Sequence, residues 1–309
     1  MDNCSVIIPA YKSQQTLPEL VEQLSVVLPT LTHQFEVILV NDCSPDQTWQ
    51  TISELSQKYP WVRGVNLMRN YGQHNATLCG IMQAKYKTIV TMDDDLQHPP
   101  QEIPNLIAKL EEGFDVVYGI PHQRPHSWWR NFFSKLIKQL LSFVMGVRFM
   151  SGIGSFRAFR TDLRKAFMDF NKPEVIVDVL LSWGTRNFGY VYVNENPRTS
   201  GESNYDFRRL IRVGLTVLTG FSTAPLRFTS FVGFLFMLFG VGLFIYVLTV
   251  YFSAGSVLGF TFLASMIAIF SGVQLFALGI MGEYQARIFE RISQQPCYTI
   301  DSTTDGEGE

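Results

Sequence analysis

The sequence predicts an α/β domain built on a mainly parallel sheet, followed by amphipathic segments and a two-helix transmembrane hairpin. Three observations predict it. Over residues 1–120, short apolar runs alternate with amphipathic stretches of helical period. Polar clusters follow the apolar runs, where the carboxyl ends of parallel strands place ligands. Finally, no charged residue occurs between Arg227 and Glu283, which leaves room for two helices of the roughly 20 residues that cross a bilayer.

Taken in order, the strands are expected over 5–9, 35–41, 64–67, 88–92 and 116–118, with helices over 17–28, 48–58, 75–84 and 103–112 between them. Helical crossovers cover both faces of such a sheet. The polar clusters are Ala10-Tyr11-Lys12, Asp42-Cys43-Ser44, Arg69-Asn70-Tyr71-Gly72 and Asp93 to Gln97. No Gly-x-Gly-x-x-Gly follows the first strand and no Gly-Lys-Ser/Thr loop occurs anywhere, which argues against a dinucleotide oxidoreductase and a P-loop nucleotidase.

Two later stretches are amphipathic. Residues 126–149 mix Trp128, Trp129, Phe132 and Phe133 with Arg130, Lys135 and Lys138, and residues 205–218 repeat the pattern with three arginines. Each either lies in the headgroup region or packs on the α/β domain. Two spans follow, over about 228–252 and 259–282, joined by Ser253, Ala254, Gly255 and Ser256. Arg208, Arg209, Arg212 and Arg227 before them, with Arg287 and Arg291 after them, mark the flanking side as cytoplasmic. The last nine residues, 301–309, are acidic and polar and read as disordered.

Composition sets the outer bounds. A net charge of -2 gives no reason to expect a nucleic-acid partner. The four cysteines are far apart, with neither a metal-type pair nor a disulfide framework, which fits a reducing cytosolic setting. The first nine residues carry no secretion-signal pattern.

The most informative segment is Asp93-Asp94-Asp95-Leu96-Gln97-His98-Pro99-Pro100. Three consecutive carboxylates at a strand end repel one another unless a cation offsets them, and a hard metal with oxygen ligands is the natural occupant. Strand alternation puts Asp93 and Asp95 on one side and Asp94 on the other. Asp93, Asp95 and Gln97 are therefore the expected metal-site residues.

Together with Val6-Ile7-Ile8-Pro9-Ala10-Tyr11, Val40-Asn41-Asp42-Cys43-Ser44-Pro45-Asp46 and Arg69-Asn70-Tyr71-Gly72-Gln73-His74, this segment resembles the family-two inverting glycosyltransferases. Within them the chain resembles the polyprenyl-phosphate glycosyltransferases, of the dolichol-phosphate mannose synthase, bactoprenol glucosyltransferase and undecaprenyl-phosphate aminoarabinose transferase types. The resemblance extends to the second span, through Gly201-Glu202-Ser203 and Gly282-Glu283-Tyr284.

It implies a GT-A type fold and four regions: a nucleotide-sugar core over 1–125, an acceptor-side segment over 126–226, two transmembrane helices over 227–283 and a cytosolic tail over 284–309. It implies that Pro9, Ala10, Tyr11, Asp42, Arg69 and Asp93 hold the nucleotide, and that Asp95 and Gln97, with Asp93, hold Mg²⁺ or Mn²⁺. Arg157 and Arg198 match arginines that face the donor diphosphate or the lipid phosphate, and the planar guanidinium suits that work. Ser155 and Ser203 fall on the acceptor side.

The implied reaction is inverting transfer from a nucleotide diphosphate sugar, UDP-linked by kinship, to a polyprenyl phosphate. It places the enzyme in a bacterial-type inner membrane, multi-pass, with a cytosolic catalytic domain and a homo-oligomeric state. Some relatives carry Asp where this chain has Ser155, Lys where it has Asn204 and Gly where it has Cys43. A base at position 155 is dispensable, because a phosphate monoester, with a second pKa of about 6, is already anionic near neutral pH. The alternatives are transfer to a glycerolipid or sphingolipid hydroxyl, which would need a general base, and an inactive membrane scaffold. A processive synthase would carry Gln-x-x-Arg-Trp, which is missing here.

Overall fold

Strand β1 (Cys4–Ala10), all seven residues of which are buried, lies inside an eight-stranded sheet whose order is β7 (Phe188–Val193), β5 (Val116–Pro121), β6 (Arg157–Arg160), β4 (Thr88–Thr91), β1, β2 (Phe35–Asn41), β3 (Val62–Leu67) and β8 (Ile300–Thr303). The computed structural model describes residues 3–122, 154–172, 175–196, 224–254, 259–292 and 295–305. The amphipathic stretches 126–149 and 205–218 and the centre of the predicted hairpin turn lie outside the described residues. Two compact units emerge, one of Met1–Asn204 with Gln294–Glu309 and one of Tyr205–Ser293.

In the first unit β1 pairs in parallel with β2 (Phe35–Asn41) and β4 (Thr88–Thr91), and β2 with β3 (Val62–Leu67). Strand β5 (Val116–Pro121) pairs in parallel with β7 (Phe188–Val193). Two strands oppose this direction: β6 (Arg157–Arg160) enters between β4 and β5, and β8 (Ile300–Thr303) closes the edge beside β3. The sheet is mainly parallel, as expected. The expected disorder of 301–309 is overturned for its first part, because Asp301, Ser302 and Thr303 form strand. Their pairing depends on a β3 edge more than 200 residues earlier, which local composition does not encode.

Helices α1 (Leu17–Leu31), α2 (Thr48–Lys58), α3 (Gln73–Gln83) and α4 (Ile103–Glu111) fill the connections. On α1 the buried Leu17, Leu20, Val21, Leu24, Val27 and Leu28 form one stripe. Alternation along the strands divides the core in two layers: Val6 and Ile8 join Val37 and Leu39 on the α1 side, while Ile7 joins Ile38 and Val40 on the α3 side. Helix α3 comes so close to β1 that a Cβ on Gly80 would collide with Ile7. Helix α5 (Val177–Gly184) packs on the same layer through Val177, Leu180 and Leu181.

The second unit holds two long helices, α6 (Ala224–Ala254) and α7 (Phe260–Ile292). Among the described residues one segment, Leu226–Val250 of α6, is long and apolar enough to cross a membrane, with a mean hydropathy of 2.5 and none of it buried.

Candidate functional site

Four of the parallel strands, β1 to β4, end at one edge of the sheet, and the loops after them carry the polar clusters. After β1 the chain turns sharply through Lys12, which takes a left-handed φ of 59°, and Cys43 does the same after β2 at 50°. Lys12 N–H donates to Ser44 Oγ at 3.1 Å and Asp42 N–H to the Ala10 carbonyl at 3.0 Å, so these two turns brace each other. Pro9 and Ala10 are buried, whereas Tyr11 projects with 44% of its surface exposed.

Asp42, only 3% exposed, accepts the N–H groups of Tyr71 at 2.7 Å and Gly72 at 2.8 Å. Burial pushes its carboxyl above the usual range, and the two N–H donors oppose that shift. Gly72 sits at φ 92°, a conformation glycine adopts without penalty, and opens α3. Asp42 thereby fixes the loop in which the exposed Arg69 lies over the Tyr71 ring, 4.6 Å from its centroid.

The acidic loop follows β4, which stops at Thr91, so strand alternation does not govern the three carboxylates. Each engages a different neighbour. Asp93 accepts Ser155 Oγ–H at 2.5 Å and a short bond from Gln73 Nε2. Asp94 accepts Tyr11 N–H at 3.2 Å and a short bond from Ser13 Oγ. Asp95 accepts the N–H of Gln97 at 3.1 Å across Leu96, which holds a left-handed φ of 59°. Burial pushes the Asp94 carboxyl up to about 6 against those two hydrogen bonds, with Asp93 adding repulsion.

Arg157, which by resemblance matches arginines that face a phosphate, is buried here. It is 2% exposed, its Nη1 pairs with Asp178, and its Nε donates to Thr91 Oγ1 at 3.1 Å. Tyr118 Oη–H donates to the same Asp178 oxygen at 2.8 Å. Thr91 in turn donates to the Ser155 carbonyl at 2.6 Å, so a buried polar chain runs from Asp178 through Arg157 and Thr91 to the Ser155 that holds Asp93. Arg198 and Ser203 lie outside the described residues.

The structure therefore gathers Tyr11, Asp42, Asp93, Asp95, Gln97 and Ser155 on the loops of one sheet edge and keeps Arg157 beneath them. Sequence reasoning missed Ser13, Gln73 and Asn196, whose partners lie on other loops; Asn196 N–H donates to the Gln97 carbonyl at 2.8 Å. No group of three or more His, Cys, Asp or Glu able to cage a metal occurs among the described residues. Two carboxylates and an amide oxygen at an open edge instead suit a hard cation that keeps several waters and takes its remaining ligands from phosphate.

Comparison with known proteins agrees with this architecture. The family model described as glycosyl transferase family 2 matches residues 5–168. The chain is 35% identical over 311 residues to an undecaprenyl-phosphate 4-deoxy-4-formamido-L-arabinose transferase of Shewanella sediminis, covering 99% of this chain and 94% of that one. It is 33% identical to the protein of the same name from Pseudomonas savastanoi pv. phaseolicola, with 99% and 92% covered. Glucosyl-3-phosphoglycerate synthase from Mycobacterium tuberculosis, solved with Mn²⁺, UDP-glucose and phosphoglyceric acid, superposes with a TM-score of 0.51 at 17% identity over 71% of this chain and 78% of that one. That likeness is one of fold, which is of GT-A type. With a family match that spans more than half its length and relatives this similar end to end, the chain belongs to glycosyltransferase family 2 and is a sugar-transferring enzyme.

Proposed function

We propose that this enzyme transfers a sugar from a nucleotide diphosphate donor to a polyprenyl phosphate, with inversion, at the cytosolic face of a bacterial inner membrane. The observation that carries the proposal is the end-to-end similarity to undecaprenyl-phosphate transferases, which includes the apolar helices as well as the sheet domain.

Pro9, Ala10, Tyr11, Asp42 and Arg69, with Asp93, form the nucleotide side of the site. Asp42 acts by shaping the Arg69–Gly72 loop, and Tyr11 offers an exposed ring against which a base can stack. Asp95 and Gln97, with Asp93, would hold Mg²⁺ or Mn²⁺, which when bound supplies positive charge against the departing diphosphate. The acceptor phosphate oxygen attacks the anomeric carbon while the bond to the donor diphosphate breaks on the opposite face. That oxygen is already anionic, so the residues here need only align it and exclude water.

Ser155, bonded to Asp93, positions a carboxylate and is not a base. Arg198 and Ser203 are assigned to the acceptor phosphate by resemblance, and Arg157 supports the site from below. The enzyme is multi-pass and homo-oligomeric in this reading. UDP is the proposed carrier, and the name of the similar transferases makes 4-deoxy-4-formamido-L-arabinose the first sugar to test.

The test is a radiolabelled transfer assay with purified protein, undecaprenyl phosphate, Mn²⁺ or Mg²⁺ and a panel of UDP- and GDP-sugars headed by that one. Label should enter the lipid phase and EDTA should stop it. Binding of UDP without label from any donor would point to a different acceptor.

A further inference from the structure

Residues 194–196, directly after β7, have no role in the reading above, yet they grip the acidic loop at its most strained point. Asn196 captures two successive carbonyls: its N–H donates to Gln97 O at 2.8 Å and its side-chain Nδ2 to Leu96 O at 3.2 Å. Between Asp95 and Gln97, Leu96 is left-handed at φ 59° and buried. That conformation costs a branched L-residue about 1 kcal/mol or more, so it persists only where surrounding contacts impose it.

The grip is itself anchored. Asn194 donates from its backbone N–H and its Nδ2 to Glu102 Oε1, at 3.2 and 2.7 Å. Glu102 is 7% exposed, and its other oxygen accepts Asn105 Nδ2 at 2.6 Å. Between these contacts the His98 ring stacks on Phe156, centroids 4.9 Å apart and planes at 10°, with Nε2 at 3.9 Å from Glu195 Oε1. The segment after β7 thus closes over the acidic loop from Leu96 to Glu102.

We infer that Asn196 is a positioning residue for the Asp95–Gln97 edge: its paired hydrogen bonds hold the left-handed turn at Leu96 that turns Asp95 and Gln97 toward the donor phosphates. The inference rests on the proposed reading of that edge.

Full-length protein in detergent carries the test, as the parent, Asn196→Ala, Asn196→Asp and Asn196→Gln. Hydrogen exchange of the peptide spanning 93–98 is measured without ligand, and UDP binding is titrated calorimetrically with Mn²⁺ present. Loss of one structured hydrogen bond predicts faster exchange in that peptide and UDP–Mn²⁺ binding weakened about fivefold to tenfold in the Ala variant. Asp, which sets a carboxylate against the Leu96 carbonyl, should be worse, and Gln, which keeps an amide donor, should recover part of the loss. Unchanged exchange in Asn196→Ala overturns the inference, as does faster exchange with unchanged UDP–Mn²⁺ binding. A parent protein that binds UDP equally with and without Mn²⁺ would count against the metal in the proposed function instead, and exchange alone would then decide the role of Asn196.

Discussion

Asp95 and Ser155 sit within one loop system and should respond differently to truncation. In the proposed reading Asp95 acts on the leaving diphosphate, and Asp95→Ala should then lower turnover about a thousandfold or more, the effect of losing several kcal/mol of charge stabilisation, while the melting temperature stays near that of the parent. Ser155 donates one bond to Asp93. Ser155→Ala should cost about tenfold in kcat/KM and leave the pH profile unmoved, as befits a lost charge-assisted bond; a loss of several orders of magnitude would make Ser155 more than a support. A third residue reports on occupancy. Cys43 is exposed beside Asp42, whereas burial pushes the Cys4 thiol up to about 12 and raises those of Cys79 and Cys297. A maleimide should therefore modify Cys43 first, and UDP with Mn²⁺ should slow it. The acidic triplet was legible because carboxylates seldom cluster without a reason. Asp94 was not: its partners Ser13 and Tyr11 stand more than 80 positions away, and the alternation that assigned its side had ended with β4 at Thr91. The pairing of Arg157 with Asp178 was not legible for a related reason, since the two stand 21 positions apart on different elements.

At the level of elements, the five parallel strands and four helices of the first 121 residues were legible because each carries its own period and is bounded by turn residues. Boundaries moved where tertiary contacts extended an element, as when α1 ran past Pro29 to Leu31. Strands β6 and β8 were not legible. Both are four residues long and antiparallel, and each is defined by a partner remote in sequence. Strand β8 has consequences for stability. Asn66 Nδ2 donates to Asp301 at 2.9 Å, Gly64 N–H to Thr304 Oγ1 at 2.8 Å, and the buried Asn75 Nδ2 to the Cys297 carbonyl at 2.8 Å. Removing residues 297–309 would strip these bonds and bare the β3 edge. At about 1 kcal/mol for each bond, the melting temperature of the sheet domain should fall by about 10 °C, and the exposed edge should promote aggregation. An unchanged melting temperature would mean that β8 adds little to the sheet it completes.

For the whole molecule the same strand constrains topology. Strand β8 hydrogen-bonds to β3 in the sheet that contains β1, so the chain enters and leaves Tyr205–Ser293 from one folded unit. One folded unit occupies one side of a membrane, and the intervening segment must therefore cross an even number of times. The helix α6 supplies one candidate span. If it crosses, α7 must bring the chain back, although α7 is amphipathic toward its end, where Glu283 is followed by Arg287, Glu290 and Arg291. Its 33 residues extend about 50 Å, well beyond a hydrocarbon core of about 30 Å, so the charged last turns can project into the cytosol while Phe260 to Gly282 spans. In a Cys43→Ser background, a cysteine placed at Ser253, at the far end of α6, should then react with a membrane-impermeant maleimide in intact cells, while a cysteine at Thr304 should react only after the membrane is opened. No labelling at either position before lysis would put Ser253 on the same side as the sheet domain and remove the crossing by α6 from the proposed function.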